Sequence, residues 1–347
     1  MRRTRILAIG VFSFACSTGV VHASGSSSST LPTAVATSTT VTQASTQNVV
    51  RTISNAISGS LGRVLQSGNM FKQNSGPRKT SLSEGATGLS GGETASGVAT
   101  WGSVDYTYLR ILPDGDREQR RLTDIYTAVG GVDFAINDQV LAGVALSYGR
   151  AETDGRNSRA RRLDQSSDSL TISPYIGFAP TENLTFDALV GYTHSFIDTR
   201  DYNSGSKVTG SNHSRTFFSA VNVGYLIPLN DRFAVKLFSG FSGQYGKVET
   251  YRDSENTLVP GDTSPHWLAR AGARAMMALT DSTQGYFSAA YEHERELIAL
   301  SEKSARLSIG TASAITPGLD LTFEGTANVG RETQQELGVS ANLRLSF

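Results

Sequence analysis

Cysteine occurs once in the 347 residues, at Cys16, and histidine only five times. A disulfide framework and a thiolate zinc centre each need several cysteines, so both are excluded. His194, His266 and His293 stand apart, without the H-x-x-x-H or H-E-x-x-H spacing that gathers imidazoles around a metal, and no cofactor is expected. Charge is scarce too. Lys and Arg total 31, Asp and Glu total 31, and together they make 18% of the chain. A neutral balance without a basic face gives no reason to expect nucleic acid as a partner. No apolar run approaches the ~20 residues that a membrane-spanning helix requires. One membrane class survives that absence, because a transmembrane β-barrel distributes its apolar surface over every second residue.

The chain opens with an export pattern. Arg2, Arg3 and Arg5 form a positive start, Ile6 to Ala15 an apolar stretch, and Val21-His22-Ala23 a small-x-small cleavage site, so residues 1–23 read as a signal peptide. Lipidation at Cys16 is the alternative to cleavage after Ala23. Residues 24–46 are almost entirely Ser, Thr, Ala and Val, a composition that buries too little apolar area to order itself, and disorder is expected there. Over 47–66, Val50, Ile53, Ile57, Leu61 and Val64 recur at spacings of three and four, which predicts one slender helix. Its other faces carry Ser, Asn, Thr and Gly, so it needs a surrounding wall to persist. Residues 67–97 form a second linker rich in Gly and Ser.

From 98 to 347 the period becomes two. Leu337, Val339, Ala341, Leu343, Leu345 and Phe347 share one face of the last segment, with Gly338, Ser340, Asn342, Arg344 and Ser346 on the other. Twelve such segments are counted, about 11–17 residues each, longer than the ~9–11 tilted residues that cross a bilayer. Short turns, such as Asn137-Asp138 and Pro317-Gly318, alternate with longer polar connections around 113–121, 153–166, 200–213, 250–264, 299–301 and 331–334. The expected fold is all-β: a 12-stranded antiparallel transmembrane barrel preceded by one helix inside its lumen. The polar faces carry Asp105, Asp133, Lys236, Arg270, Arg274, Glu292, Arg306, Glu324 and Arg344, which would line a wet lumen and pair across it. Trp101, Tyr108, Tyr148, Tyr202, Tyr245, Tyr251, Trp267 and Phe347, near strand ends, would suit interface girdles.

The carrying residues of a family resemblance are Trp101-Gly102-Ser103 into Asp105-Tyr106; Gly130-Gly131-Val132-Asp133-Phe134; Gly143-Val144-Ala145-Leu146-Ser147-Tyr148; Ser173-Pro174-Tyr175-Ile176-Gly177; and Asn342 to Phe347. With the helix ahead of them, they resemble the translocator β-domain of autotransporters, the type V secretion proteins of Gram-negative outer membranes. The resemblance covers 98–347. It implies a helix threaded through the lumen, a surface segment, contact with outer-membrane lipids and lipopolysaccharide, and insertion by the barrel assembly machinery. That machinery would read the terminal strand at Leu343, Leu345 and Phe347. A monomer is expected. Family passengers usually run to hundreds of residues, whereas only 24–46, or at most 24–97, precede the barrel here. A short displayed segment is therefore one reading. The alternative is a passenger-less barrel, acting as a narrow channel or as a surface interaction protein through loops 200–213 and 250–264.

Catalysis finds little support. Gly88-Leu89-Ser90-Gly91-Gly92 fits the nucleophile-elbow pattern, but that chemistry needs a strand-to-helix turn and this copy lies in a linker. Asn212, His213 and Ser214 are immediate neighbours, whereas a triad needs members that converge in space. The basic run Arg156 to Arg162 reads as a solvated loop, with lipopolysaccharide phosphates as the alternative.

Overall fold

The computed structural model of the chain describes residues 31–70, 97–111, 120–156, 162–203, 206–296, 301–316, 318–331 and 334–346. The signal pattern, Ser90 and Phe347 lie outside these residues.

One helix, α1 (Leu31–Met70), precedes twelve long strands. They are β1 (Val98–Ile111), β2 (Arg120–Asn137), β3 (Val140–Arg156), β4 (Arg162–Thr181), β5 (Leu184–Asn203), β6 (Ser206–Asn230), β7 (Phe233–Val248), β8 (Asp262–Ala278), β9 (Thr283–Glu296), β10 (Ser301–Thr316), β11 (Leu319–Val329) and β12 (Gln334–Ser346). Each pairs antiparallel with its sequence neighbour, and β1 pairs with β12 from Ala99↔Ser346 to Ile111↔Gln334, closing the barrel. Closure leaves no open edge, the condition for a sheet to stand in hydrocarbon.

Alternation sorts the side chains. On β2, Thr123, Ile125, Thr127, Val129 and Asp133 are buried inward, while Tyr126 and Phe134 are exposed outward. Leu170, Ile172, Phe217, Val221, Ile309, Phe323, Leu337 and Val339 continue the outward apolar surface around the wall.

The short turns carry their own chemistry. Asn137 Oδ1 accepts from the Gln139 and Val140 amides at 2.9 Å, and Asn230 Oδ1 accepts from Arg232 and Phe233 at the same distance. Such side-chain acceptors hold tight reversals. At Pro317-Gly318, Gly318 takes φ +89°, a conformation costly for any residue with a Cβ.

The long-loop end departs from expectation. Residues 200–203 and 206–213 are a paired extension of β5 and β6, in register up to Asn203↔Ser206, and not a loop. Above the apolar belt both faces meet water, so the alternation of apolar and polar side chains stops while the backbone ladder continues. Within 250–264, Tyr251–Arg252 and Leu258–Val259 form a small ribbon. Helix α1 also begins well before 47, taking in residues 31–46. It has no acidic residue in its first turn and no basic one in its last, so the barrel wall, not the helix dipole, sustains it.

Candidate functional site

The lumen and the helix within it form the candidate site. Helix α1 runs the length of the barrel. Near its start, Val35 packs with Val248 and Val259 at the long-loop end. There Thr39 Oγ1 donates to Asp262 Oδ2 at 3.4 Å, and Gln165 Nε2 donates to Ser38 Oγ at 2.5 Å. Further along, Asn48 Nδ2 donates to Thr107 Oγ1 at 3.0 Å and Thr52 Oγ1 to Asp105 Oδ2 at 3.2 Å. At the short-turn end Ser60 Oγ donates to Asp133 Oδ2 at 2.6 Å. The polar faces of the helix thus find partners at successive levels of the wall, which answers how a Ser- and Thr-rich helix stays folded.

The apolar stripe faces one side. Val50, Ile53, Ile57 and Leu61 join Val129, Leu141, Ala145, Ala179, Leu189, Phe218 and Ala220 in one buried cluster. Ile53, Ile57 and Leu61 have no exposed surface. The Val64 side chain lies outside the described residues. Gly177 permits this seat, since a Cβ there would stand 2.9 Å from Ile57 Cγ2 and 3.0 Å from Leu61 Cδ1.

Several residues scattered along the sequence converge at the short-turn end. The Trp101 indole N–H donates to Tyr175 Oη at 3.0 Å, and Tyr175 donates to Asp133. Arg344 from the last strand pairs with the same Asp133 and donates to the Ala56 carbonyl at 3.2 Å. Glycines receive the rings: the Trp101 indole lies over Gly131 and the Tyr175 ring over Gly143. Trp101 is therefore no girdle residue. It shares odd parity with Asp105 on β1, points into the lumen and is 4% exposed. Tyr251 is no girdle residue either, because the ribbon holds it against Val35, Val248 and Val259.

The opposite wall is charged. Arg306 donates to Glu292 at 3.2 Å and to Glu336 at 2.5 Å, while Arg51 of the helix reaches Glu336 at 3.1 Å and Glu292 at 3.6 Å. Asn328 donates to the second Glu292 oxygen at 2.9 Å. Arg274 meets Glu324 at 3.4 Å, with its guanidinium 4.6 Å from the Tyr286 ring centroid. Arg270 donates to Asn222 at 2.9 Å, which donates to Asp187 at 2.6 Å. Lys236 is buried with its stem beside Gly224. Buried ions require such partners, because losing water costs several kcal/mol per ion. All nine charges singled out from sequence occupy inward positions, and Glu292 has no exposed surface.

Sequence reasoning missed Arg51, Asp187, Asn222, Glu294, Arg331 and Glu336. It treated His266 as isolated, yet His266 pairs with Glu294, which also holds Arg331. Parity would have found Glu336, inward like Arg344. Nothing in the sequence aligned Arg51 with its level on the wall. Between the helix and this wall lies a cavity of about 160 Å³, with Arg51, Asp105, Arg270, Arg274, Glu324 and Glu336 among its lining.

The remaining chemical candidates do not converge. Asn212 and Ser214 point inward and His213 outward, so they form no triad. His213 stacks on His194 with centroids 5.5 Å apart. Among the described residues no group of three or more His, Cys, Asp or Glu could hold a metal. Arg156 and Arg162 face outward and pair with Asp154 and Asp164 at 3.3 and 2.7 Å. Leu343 and Leu345 face outward, 44% and 40% exposed.

Residues 100–345 match the family described as autotransporter beta-domain. No curated protein matches the chain. Among solved structures, the translocator domain of autotransporter NalP from Neisseria meningitidis superposes with a TM-score of 0.63 at 12% identity, covering 74% of this chain and 90% of that one. The β domain of the Bordetella autotransporter Brka gives 0.62 at 16% identity, covering 72% and 100%. The transport unit of autotransporter AIDA-I from Escherichia coli gives 0.58 at 13%, covering 84% and 99%.

Proposed function

The chain belongs to the autotransporter β-domain family and is an outer-membrane β-barrel protein of Gram-negative bacteria; from that premise we propose that it threads its own N-terminal segment through its lumen and displays the residues ahead of the helix at the cell surface. The direction of α1 carries this reading. Its N-terminal half meets the long-loop end through Val35, Ser38 and Thr39, and Ser60 meets Asp133 at the short-turn end. In an outer-membrane barrel long loops face outward and tight turns face the periplasm, so the chain ahead of Leu31 leaves on the outside. The test is a peptide tag inserted after Ser26. Cleavage of the tag by protease added to intact cells is expected; protection until the outer membrane is broken would overturn display.

The cavity beside the helix supports a second role as a narrow channel. Its lining is charged, and the helix lies mainly against β2–β7 without filling the far side. Planar-bilayer conductance should be small for the full chain and larger for a chain lacking residues 47–66. Equal conductance would refute the helix as a plug.

The assembly machinery is proposed to read the terminal strand, in which outward Leu343 and Leu345 lead to Phe347. Phe347→Ala should then reduce the outer-membrane yield in cells while the purified protein still refolds in detergent. Wild-type yield would leave Phe347 with a packing role only.

A further inference from the structure

The outer surface is not uniform around the barrel. Along β3–β7 several outward cations above the apolar belt have carboxylate partners. Arg150 pairs with Glu152 at 2.9 Å, and Arg215 with Glu249 at 2.8 Å. Along β8–β12 the outward strand positions hold no carboxylate among the described residues. They are Thr263, Pro265, Trp267, four alanines and Met277 on β8, and a similar apolar series on the others. The charged exceptions are Arg295 and Lys303, both exposed, and they stand together. Trp267 is the cross-strand partner of Arg295, and His293 is that of Lys303. The Trp267 and His293 rings meet edge to face at 5.3 Å, and His293 Nδ1 is buried without a hydrogen-bond partner.

Their height identifies what they meet. Gly285 lies opposite Met277 near the short turn, and Arg295 opposite Trp267. Ten residues of strand rise ~33 Å along the strand, or ~25 Å along the membrane normal at a tilt near 40°, the height of an apolar belt. The quartet therefore stands where hydrocarbon gives way to headgroups on the long-loop side. A guanidinium with no carboxylate partner among the described residues fits a phosphate at that boundary in a bidentate fork, an ammonium adds a point charge, and an indole rests at the interface.

We infer that Trp267, His293, Arg295 and Lys303 form a docking site for the phosphorylated headgroup of an outer-leaflet glycolipid. Two cations with no competing outward carboxylate among the described residues attract the phosphate, and the apolar surface of Tyr291, Leu307 and Ile309 below them receives the acyl chains. This inference goes beyond surface display, and its test reads lipid binding on purified protein, so either can fail alone.

The experiment titrates the full-length protein in detergent with diphosphorylated lipid A and follows thermal loss of the folded form. Saturable stabilisation is expected. Arg295→Gln with Lys303→Gln should require about tenfold more lipid or more, the loss of two charge-assisted contacts. Lys303→Gln alone should fall between, and Arg150→Gln, on the other side of the barrel, should match wild type. Dephosphorylated lipid A and inorganic phosphate should have no effect. Unchanged affinity in the double variant or in Lys303→Gln would overturn the site, as would equal stabilisation by dephosphorylated lipid or by inorganic phosphate. Both variants change outward side chains, and unheated gel mobility verifies that each barrel is closed.

Discussion

The two halves of the lumen wall treat the helix differently. Strands β1–β6 offer small and apolar side chains, and α1 packs directly on them through Val50, Ile53, Ile57 and Leu61. Strands β7–β12 offer Arg274, Glu292, Arg306, Glu324 and Glu336, which pair with one another, and Arg270, which turns to Asn222, and a cavity separates them from the helix. Arg51 spans the gap with ion pairs, and Arg344 reaches the Ala56 carbonyl from that half. One half therefore binds the helix by burial, and the other holds the barrel together by networked charge. Burial is non-directional and tolerates sliding along the wall, whereas an ion network fixes distances. A helix seated mainly by burial against one half is removable without dismantling the wall.

The largest test of that contrast falls on the charged half. Arg306→Leu leaves Glu292 and Glu336 buried without the guanidinium between them, at a cost of about 3–5 kcal/mol. The loss should appear in denaturant unfolding of the barrel itself, including a chain that lacks residues 47–66. An effect that vanishes when the helix is removed would mean that the network serves the helix. On the apolar half, Ile57→Ala empties a fully buried site and should cost about 2–4 kcal/mol of helix seating. Conductance should rise while denaturant unfolding of the barrel itself stays near wild type; a drop in barrel stability as large as that of Arg306→Leu would erase the distinction between the halves. The smallest effect belongs to the convergence at the short-turn end. Trp101→Phe keeps the ring over Gly131 but deletes the hydrogen bond to Tyr175, for about 1 kcal/mol. Unfolding midpoints should shift slightly with an unchanged denaturant slope, and a loss of several kcal/mol would show that the indole N–H organises Asp133 and Arg344 as well.

Much of this was legible in the chain. A period of two over long segments dictates two-faced strands, and alternating short and long connections dictate an even meander, so the barrel follows from Leu337 to Ser346 and its counterparts. Inward charges could be read from parity, which placed Glu292, Arg306 and Arg344 on the lumen side. Parity also carries the correction at Trp101, since the residue shares a face with Asp105 and could not serve a girdle. The extensions at 200–203 and 206–213 were illegible because both faces are polar there, and a strand without contrast between its faces has no signature.

The sequence by itself determined which residues alternate and where the chain turns, because those are local properties of backbone geometry and side-chain transfer. Tertiary structure alone decided partnership. Ser60 meets Asp133, Arg51 meets Glu336, and Arg344 closes on a strand some two hundred residues earlier. These pairs depend on the rotation and depth of the helix and on the stagger of a closed sheet. Both are fixed only when the barrel is complete and every buried polar group has found its partner.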